Sequence, residues 1–448
     1  MRSLSAAKLL PWRRAGAPAR PATKARTVEI SRTGAVVYVS IVAVLVLLLW
    51  SVNHERESHV RVPDLASLEE ALPSIAGLTG SPVFPGNRVE ILQNGDEFFP
   101  ALLRDIAAAR ETIHIETYVW WKGEICERVG DALAARARQG VEVRLMLDAV
   151  GSNQGDEKLF GRMQDAGVRI ARYHPFSLGD IGLFNNRTHR KLAVFDGRVA
   201  YVFGHGIAEE WTGHGQDEKH WRDTGLRLRG PIVGEVQSVF SENWLEQTAE
   251  PIVGEKYFPP LEPAGPVRAQ MTASSPHGDV SRQELLFKLA IASAQKELVI
   301  QNPYFIPDGE LVELLGKAIR RGVDIRVMIP GAVTDSSIVR HAGHRYFEDL
   351  LRRGVKIYEY RPTLSHQKVM IVDRLWAHVG SANFDDRSLD INDEASVGVI
   401  DEDVAGRLRQ TFFDDLKQCD EVTLAQWLKR SAWHRFVDRV SYSINEQL

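Results

Sequence analysis

Two short constellations in the chain combine residue types that can move a phosphoryl group. His189-Arg190-Lys191 is followed by the apolar run 192–195 and then Asp196. His366-Gln367-Lys368 is followed by the apolar run 369–372 and then Asp373. Both read HxKxxxxD, and corresponding residues stand 177 positions apart. In a strand, residues two apart face the same way, so each imidazole and ammonium can converge on one ligand. Histidine serves as a nucleophile, or as a general acid near neutral pH. Lysine sets positive charge against phosphate oxygens. Two copies supply two histidines and two lysines around one phosphodiester, one imidazole attacking and the other protonating the leaving alcohol. Such a site needs no metal and no cofactor. A single HxK would be an ordinary surface pair; two copies at a constant offset are a repeated device.

The elements that must position these residues are repeated as well. ARETIHIETYVWWKG (109–123) and ALAARARQGVEVRLMLDAVGS (132–152) have counterparts in AQKELVIQNPYFIPDG (294–309) and LLGKAIRRGVDIRVMIPGAV (314–333). Each pair predicts a buried strand, a helix ending at Gly140 or Gly322, and an alternating strand. GVRIARYHP (167–175) and GVKIYEYRP (354–362) continue the match. Strands alternating with helices predict an α/β fold of two similar halves, each a mixed, mainly parallel sheet flanked by helices. The first half is placed at 86–249 and the second at 281–448. A linker is expected at 250–280, where Pro251, Pro259, Pro260, Pro263 and Pro266 cluster. Ser281 and Glu284 resemble a capping box opening the next helix.

Composition narrows the classes further. The chain has 448 residues, 55 lysines and arginines, 59 acidic residues and two cysteines, Cys126 and Cys419. Two cysteines exclude a disulfide scaffold or a cysteine-rich metal site. Eight bases and one acid, Glu29, fall within residues 1–32, which leaves 47 bases against 58 acids in the rest. An acidic body argues against sequence-independent nucleic-acid binding. Residues 35–52, AVVYVSIVAVLVLLLWSV, carry no charge and span about 27 Å as a helix, with Tyr38 and Trp50 near the ends. A buried core helix or a cleaved signal peptide is the bland alternative, and an Arg-rich transit peptide a weaker one. A core helix seldom lacks a polar face for five turns, and no small-residue cleavage site follows Trp50. The reading is a basic cytoplasmic tail at 1–34, a single transmembrane helix at 35–52 and a connector at 53–85. Bases are denser before the span than after it, so the catalytic unit is expected outside the cytoplasm.

The motifs, with GNRVEILQNGDEFF (86–99), WRDTGLRLRGP (221–231), NPYFIPD (302–308) and GSANFDDRSLDINDEASV (380–397), resemble the phospholipase D superfamily, and within it bacterial cardiolipin synthases. The resemblance covers residue 86 to near the end. It implies one pseudo-twofold phospholipase D-like unit in which both halves share a single active site. It implies a phosphatidyl group carried on His189, with His366 as acid and base, Lys191 and Lys368 holding phosphate, and Asp196 and Asp373 structural. It implies that Asp223 orients His189 and Glu394 orients His366. The expected reaction joins two phosphatidylglycerols into cardiolipin plus glycerol, at the inner membrane with the catalytic unit on the periplasmic side. Phospholipid and membrane are then the partners, nucleic acid is not, and oligomeric state is left open. Hydrolysis to phosphatidic acid, a membrane-anchored phosphodiesterase or nuclease, and an inactive scaffold are the rival readings; two intact motifs count against the scaffold.

One stretch departs from the pattern. Gly380-Ser381-Ala382-Asn383 aligns with Phe203-Gly204-His205-Gly206. Ser381 and Asn383 are expected to bind phosphate, leaving the first half the Gly204 amide or His205, with altered donor or acceptor preference. Weaker signals are the His214, Asp217, Glu218 and His220 group, which could suggest a metal, and a basic amphipathic C-terminal segment. In that segment Trp427, Leu428, Phe436, Val437 and Val440 recur beside Lys429, Arg430, Arg435 and Arg439. It suits a bilayer surface or packing on the body equally.

Overall fold

The structure, a computed structural model, describes residues 37–41, 44, 60, 62–63, 65–175, 185–275 and 281–442. The chain divides into two compact units, Met1–Glu57 and Ser58–Leu448. In the first, residues 37–41 are helical and exposed. The tail 1–34 and most of the expected span 35–52 lie outside the described residues. Among the described residues, no helix is long and apolar enough to cross a membrane.

The second unit is built on a 15-stranded sheet. The first half contributes β1 (Val83–Gln93), β2 (Thr112–Thr117), β3 (Glu142–Asp148), β4 (Arg169–Tyr173), β5 (Leu192–Phe195), β6 (Val199–Phe203) and β7 (Thr224–Arg229). The second contributes β8 (Val267–Ser274), β9 (Glu297–Gln301), β10 (Asp324–Pro330), β11 (Lys356–Tyr360), β12 (Val369–Val372), β13 (Trp376–Gly380), β14 (Glu394–Ile400) and β15 (Cys419–Val422). Read inward from one edge, the order is β4-β3-β2-β5-β6-β7-β1. From the other edge it is β15-β11-β10-β9-β12-β13-β14-β8, and β1 joins β8 antiparallel.

The expected mainly parallel sheet is corrected. Parallel pairing is confined to β2-β3-β4 and β9-β10-β11, and the remaining strand pairs are antiparallel. The strands of each motif turn straight back through hairpins, and a parallel neighbour would need a long crossover. The linker reading also shortens, because β8 lies within 250–280 and pairs with both β1 and β14. Part of the stretch read as a connector is ordered too, with a helix at Leu68–Thr79 and the start of β1.

Both motif strands end as their sequences require. Asp196 and Gly197 have φ of 51° and 61°, and the Arg198 amide donates to the Phe195 carbonyl at 2.9 Å. This is a tight hairpin whose two central residues are left-handed. Asp373 and Arg374 repeat it at 52° and 59°. The Asp196 carboxylate accepts from the amides of Arg110, Glu111 and Thr112, and the Asp373 carboxylate from those of Gln295, Lys296 and Glu297. Each motif aspartate thus fastens its hairpin to the start of the neighbouring strand, β2 or β9.

The halves share one apolar core. Leu192, Val194, Val202 and Leu228 of the first half cluster with Ile371, Val379, Val397 and Val399 of the second. The helices Ile232–Thr248 and Glu402–Leu416 complete that cluster through Val236, Phe240, Leu408 and Phe412. The opposite strand faces carry Ala193 and Phe195, or Met370 and Val372, into two further clusters under the outer helices. Arginine at a left-handed position costs about 1–2 kcal/mol relative to ordinary backbone, a cost glycine avoids. Arg374→Gly is therefore expected to stabilise the fold by up to about 1 kcal/mol; a lower denaturant midpoint in the variant would contradict this.

Candidate active site

Each motif histidine stands just before its strand, where the chain leaves a bridge to the other half. Thr188 bridges Asp393 in parallel, and the His189 amide donates to the Asp393 carbonyl at 2.9 Å. Arg222 bridges Ser365 in the same way, and the His366 amide donates to the Arg222 carbonyl at 2.8 Å. The strand opening with Glu394 therefore lies beside His189, and the strand preceded by Asp223 lies beside His366.

The side chains follow. His189 Nδ1 lies 2.8 Å from Glu394 Oε1, and His366 Nδ1 lies 2.8 Å from Asp223 Oδ2. The expected pairing within each half is overturned: every ring is held by the carboxylate of the other half. The physical reason is the sheet order, which puts β6 between β5 and β7 and β13 between β12 and β14. Both carboxylates are fully buried, while the two histidine side chains remain 11% and 9% exposed, which leaves part of each ring open to a ligand. With Nδ1 hydrogen-bonded, Nε2 is the reactive atom of each ring.

Lys191 and Lys368 are folded back beside their histidines. Their Nζ atoms donate to the His189 and His366 carbonyls at 2.9 and 2.8 Å, and Lys368 Nζ lies 2.9 Å from His366 Nε2. Lys191 also sits over the Tyr118 ring, which meets His189 edge-on.

The charges of the two motifs act on one another. Burial, with the charges of Lys191, Lys368 and His366, holds His189 well below the usual histidine value. His366 is lowered by burial and Lys368 but supported by Asp223. Burial and Lys368 push Lys191 down to about 7, and burial pushes Lys368 down to about 8. Burial raises Glu394 to about 7, against the pull of Lys191 and the Ser381 hydroxyl. Asp223 goes the other way. Burial disfavours its charge, yet His205, His366 and Lys368 hold it well below the ordinary carboxylate range.

The departing stretch in the first half is explained by Asp223. A Cβ on Gly204 would sit 2.2 Å from Asp223 Oδ1, so this glycine makes room for the carboxylate. The Gly204 amide donates to the Thr224 carbonyl and is not a phosphate ligand. His205 is also corrected: it is buried and stacked on Phe98 at 4.3 Å. A Cβ on Gly206 would come within 2.8 Å of the Trp211 ring. Trp211 occupies that space and donates Nε1–H to Asp223 Oδ2 at 2.8 Å, while its ring meets His366 edge-on. In the second half the Ser381 hydroxyl plays the corresponding part, donating to Glu394 Oε2. Asn383 is buried, and its amide oxygen has no hydrogen-bond partner among the described residues.

Sequence reasoning missed Trp211, Tyr118, Tyr304 and Arg387. Tyr304 donates to Asp335 at 2.5 Å, Arg387 bonds Asn185, and the charge of Arg387 acts on His189. The two glycines of the departing stretch were a usable signal, since side chains missing from one half must be replaced by something bulky. The suggested metal group does not assemble: His214 lies by Asp96, and His220 by Asp217.

A family model described as cardiolipin synthase, phospholipase D-like domain, matches residues 102–219 and 287–416. The chain belongs to this family. Among its relatives, the major cardiolipin synthase of Bacillus subtilis (strain 168) is 34% identical over 358 residues, covering 79% of this chain and 74% of that protein. The cardiolipin synthase of Alkalihalophilus pseudofirmus is 32% identical over 364 residues, covering 81% and 72%. The fold resembles that of the phosphatidylserine synthase of Haemophilus influenzae Rd KW20, with a TM-score of 0.61 and 14% identity over 84% of this chain and 97% of that one. The polyphosphate kinase of Porphyromonas gingivalis shares it with a TM-score of 0.51 and 15% identity, over 87% and 57%.

Two outcomes follow from this geometry. In the free enzyme, Lys191 and Lys368 lose charge as pH rises through about 7 and 8. kcat/KM for an anionic phosphodiester is therefore expected to fall above pH 7 while kcat stays flatter, because bound phosphate restores the ammonium charge. A kcat/KM profile flat to pH 10 would contradict it. Gly206→Asn, which copies the second half, must displace Trp211 from Asp223. It should lower activity at least about tenfold, and unchanged kinetics in the purified variant would refute the account of Gly206.

Proposed function

We propose that this family member is a phosphatidyltransferase that makes cardiolipin from two phosphatidylglycerols. The observation that carries the reading is the crossed pair of histidine–carboxylate dyads with two lysines in one pocket. His189, held neutral and pointed by Glu394, is the nucleophile. Its Nε2 attacks phosphorus while the bond from phosphorus to the glycerol oxygen breaks, and His366 gives its Nε2 proton to that oxygen. Glycerol leaves, and a phosphatidyl group remains on His189. His366, now neutral, takes the proton of an incoming phosphatidylglycerol hydroxyl. That oxygen attacks phosphorus, the phosphorus–nitrogen bond breaks, and cardiolipin forms with His189 restored.

Several features support this division of labour. His366 keeps an ionised Asp223 behind it, which favours the imidazolium that an acid needs. His189 is depressed further and faces both lysines, which favours a free lone pair. Lys191, Lys368 and Asn383 are assigned to the phosphate oxygens, with Ser381 acting through Glu394. Gly204 is assigned to the seating of Asp223 in place of its expected contact with phosphate.

The two segments with matching strand order are read as one pseudo-twofold unit. Residues 35–52 are read as a membrane span that leaves the N-terminus cytoplasmic and the catalytic unit periplasmic, within reach of phospholipid headgroups.

Purified full-length protein incubated with phosphatidylglycerol should yield cardiolipin and glycerol in equal amounts. Phosphatidic acid as the sole product would replace synthase by hydrolase. The histidine roles separate with a p-nitrophenyl phosphodiester, whose leaving group needs little protonation. His366→Ala and Asp223→Asn should retain a burst of p-nitrophenol, whereas His189→Ala and Glu394→Gln should lose it by about 100-fold or more. The reverse pattern would exchange the assignments.

A further inference from the structure

The C-terminal helix Ala432–Tyr442 is packed with its apolar face outward. Asp438 and Ser441 are buried, whereas Trp433 is 68%, Phe436 57% and Val440 47% exposed. At 3.6 residues per turn these three fall within an arc of about 60°, with Asp438 on the opposite side. The Trp433 and Phe436 rings stack at 5.6 Å, and Leu428 in the preceding turn is exposed as well. The polar face is fastened to the body. Asp438 holds His341 Nδ1 at 2.9 Å, His344 Nδ1 at 3.2 Å and Arg430 at 2.7 Å. Tyr442 and Tyr346 join their hydroxyls at 3.2 Å. Rotating the helix to bury its aromatic rings would break all of these bonds, so the outward face is built in. Lys429, Arg435 and Arg439 are exposed beside it.

We infer that the Trp433, Phe436 and Val440 face docks on the surface of a phospholipid bilayer rich in anionic headgroups. Aromatic rings on one side and basic residues alongside are what an interfacial helix requires. A second copy of the chain fits less well, because a twofold contact through this face would bring the same basic residues together. The helix packs on Ser337–Gly343, which follows Asp335, and Asp335 accepts from Tyr304 and acts on His366 and Lys368. Docking therefore sets one rim of the active site against the headgroup layer. The choice of bilayer as occupant rests on the lipid-substrate reading above; the outward face does not.

The test uses the full chain reconstituted into vesicles, with Cys419→Ser and a fluorophore on Phe436→Cys. Spin-labelled lipid should quench the label in vesicles containing phosphatidylglycerol. Quenching should weaken in pure phosphatidylcholine and after Lys429→Gln with Arg435→Gln. No quenching in either vesicle overturns the inference, as does a signal that depends on protein concentration instead of lipid. Trp433→Glu with Phe436→Glu should cut cardiolipin formation from vesicles about tenfold and spare that from monomeric short-chain phosphatidylglycerol. Equal effects on both substrates, whether a shared loss or none, also overturn it. Quenching without any cardiolipin formed would refute the substrate reading and leave docking standing.

Discussion

Everything at this site depends on two buried carboxylates that each half lends to the other. Asp223 and Glu394 are sealed from water, and an ionised group there is tolerated only against a positive or hydrogen-bonding partner. Those partners are His366 and His189, across the halves. Neither half holds a complete dyad alone. The backbone bridges at Thr188–Asp393 and Arg222–Ser365 fix the crossing, because they carry each histidine past the first residues of the other half's strand. The shared apolar core beneath then holds the two dyads in register.

The halves solve the same problem with different side chains. Glu394 is longer and takes its extra hydrogen bond from Ser381, just past the end of β13 in its own half. Asp223 is shorter, so the chain at Gly204 must approach without a side chain and the second donor must come from farther away. Trp211 supplies it, and its indole fills the room that Gly206 leaves. The loss of a serine and an asparagine from the repeated pattern is thus compensated by one tryptophan. The result is an asymmetric site: one carboxylate is held firmly ionised and the other is raised to about 7.

The lysines complete the balance. Lys368 depresses Lys191, and burial together with both lysines lowers His189, which favours a free lone pair on that ring when no anion is bound. A phosphate group would reverse this by giving both ammonium groups a counter-charge. A pocket of this kind is selective for an anionic centre even though residues 33–448 carry more acids than bases, 58 against 47.

Much of this was legible in the chain itself. Composition and repeat spacing were enough to place the two HxK pairs ahead of short buried strands, the aspartates at the turns, and the helix ends at Gly140 and Gly322. These are local properties, set by side-chain period and turn geometry over a few residues. The direction of most strand pairs, the place of β8 and the partner of each histidine were decided by the tertiary structure. Partnership between His189 and Glu394 spans 205 positions, and no local pattern encodes which of two similar carboxylates lies nearer once the sheet is assembled. The C-terminal helix shows the same division. Its amphipathic pattern was readable, but only its packing decided that the polar face turns inward, because Asp438 finds His341, His344 and Arg430 there.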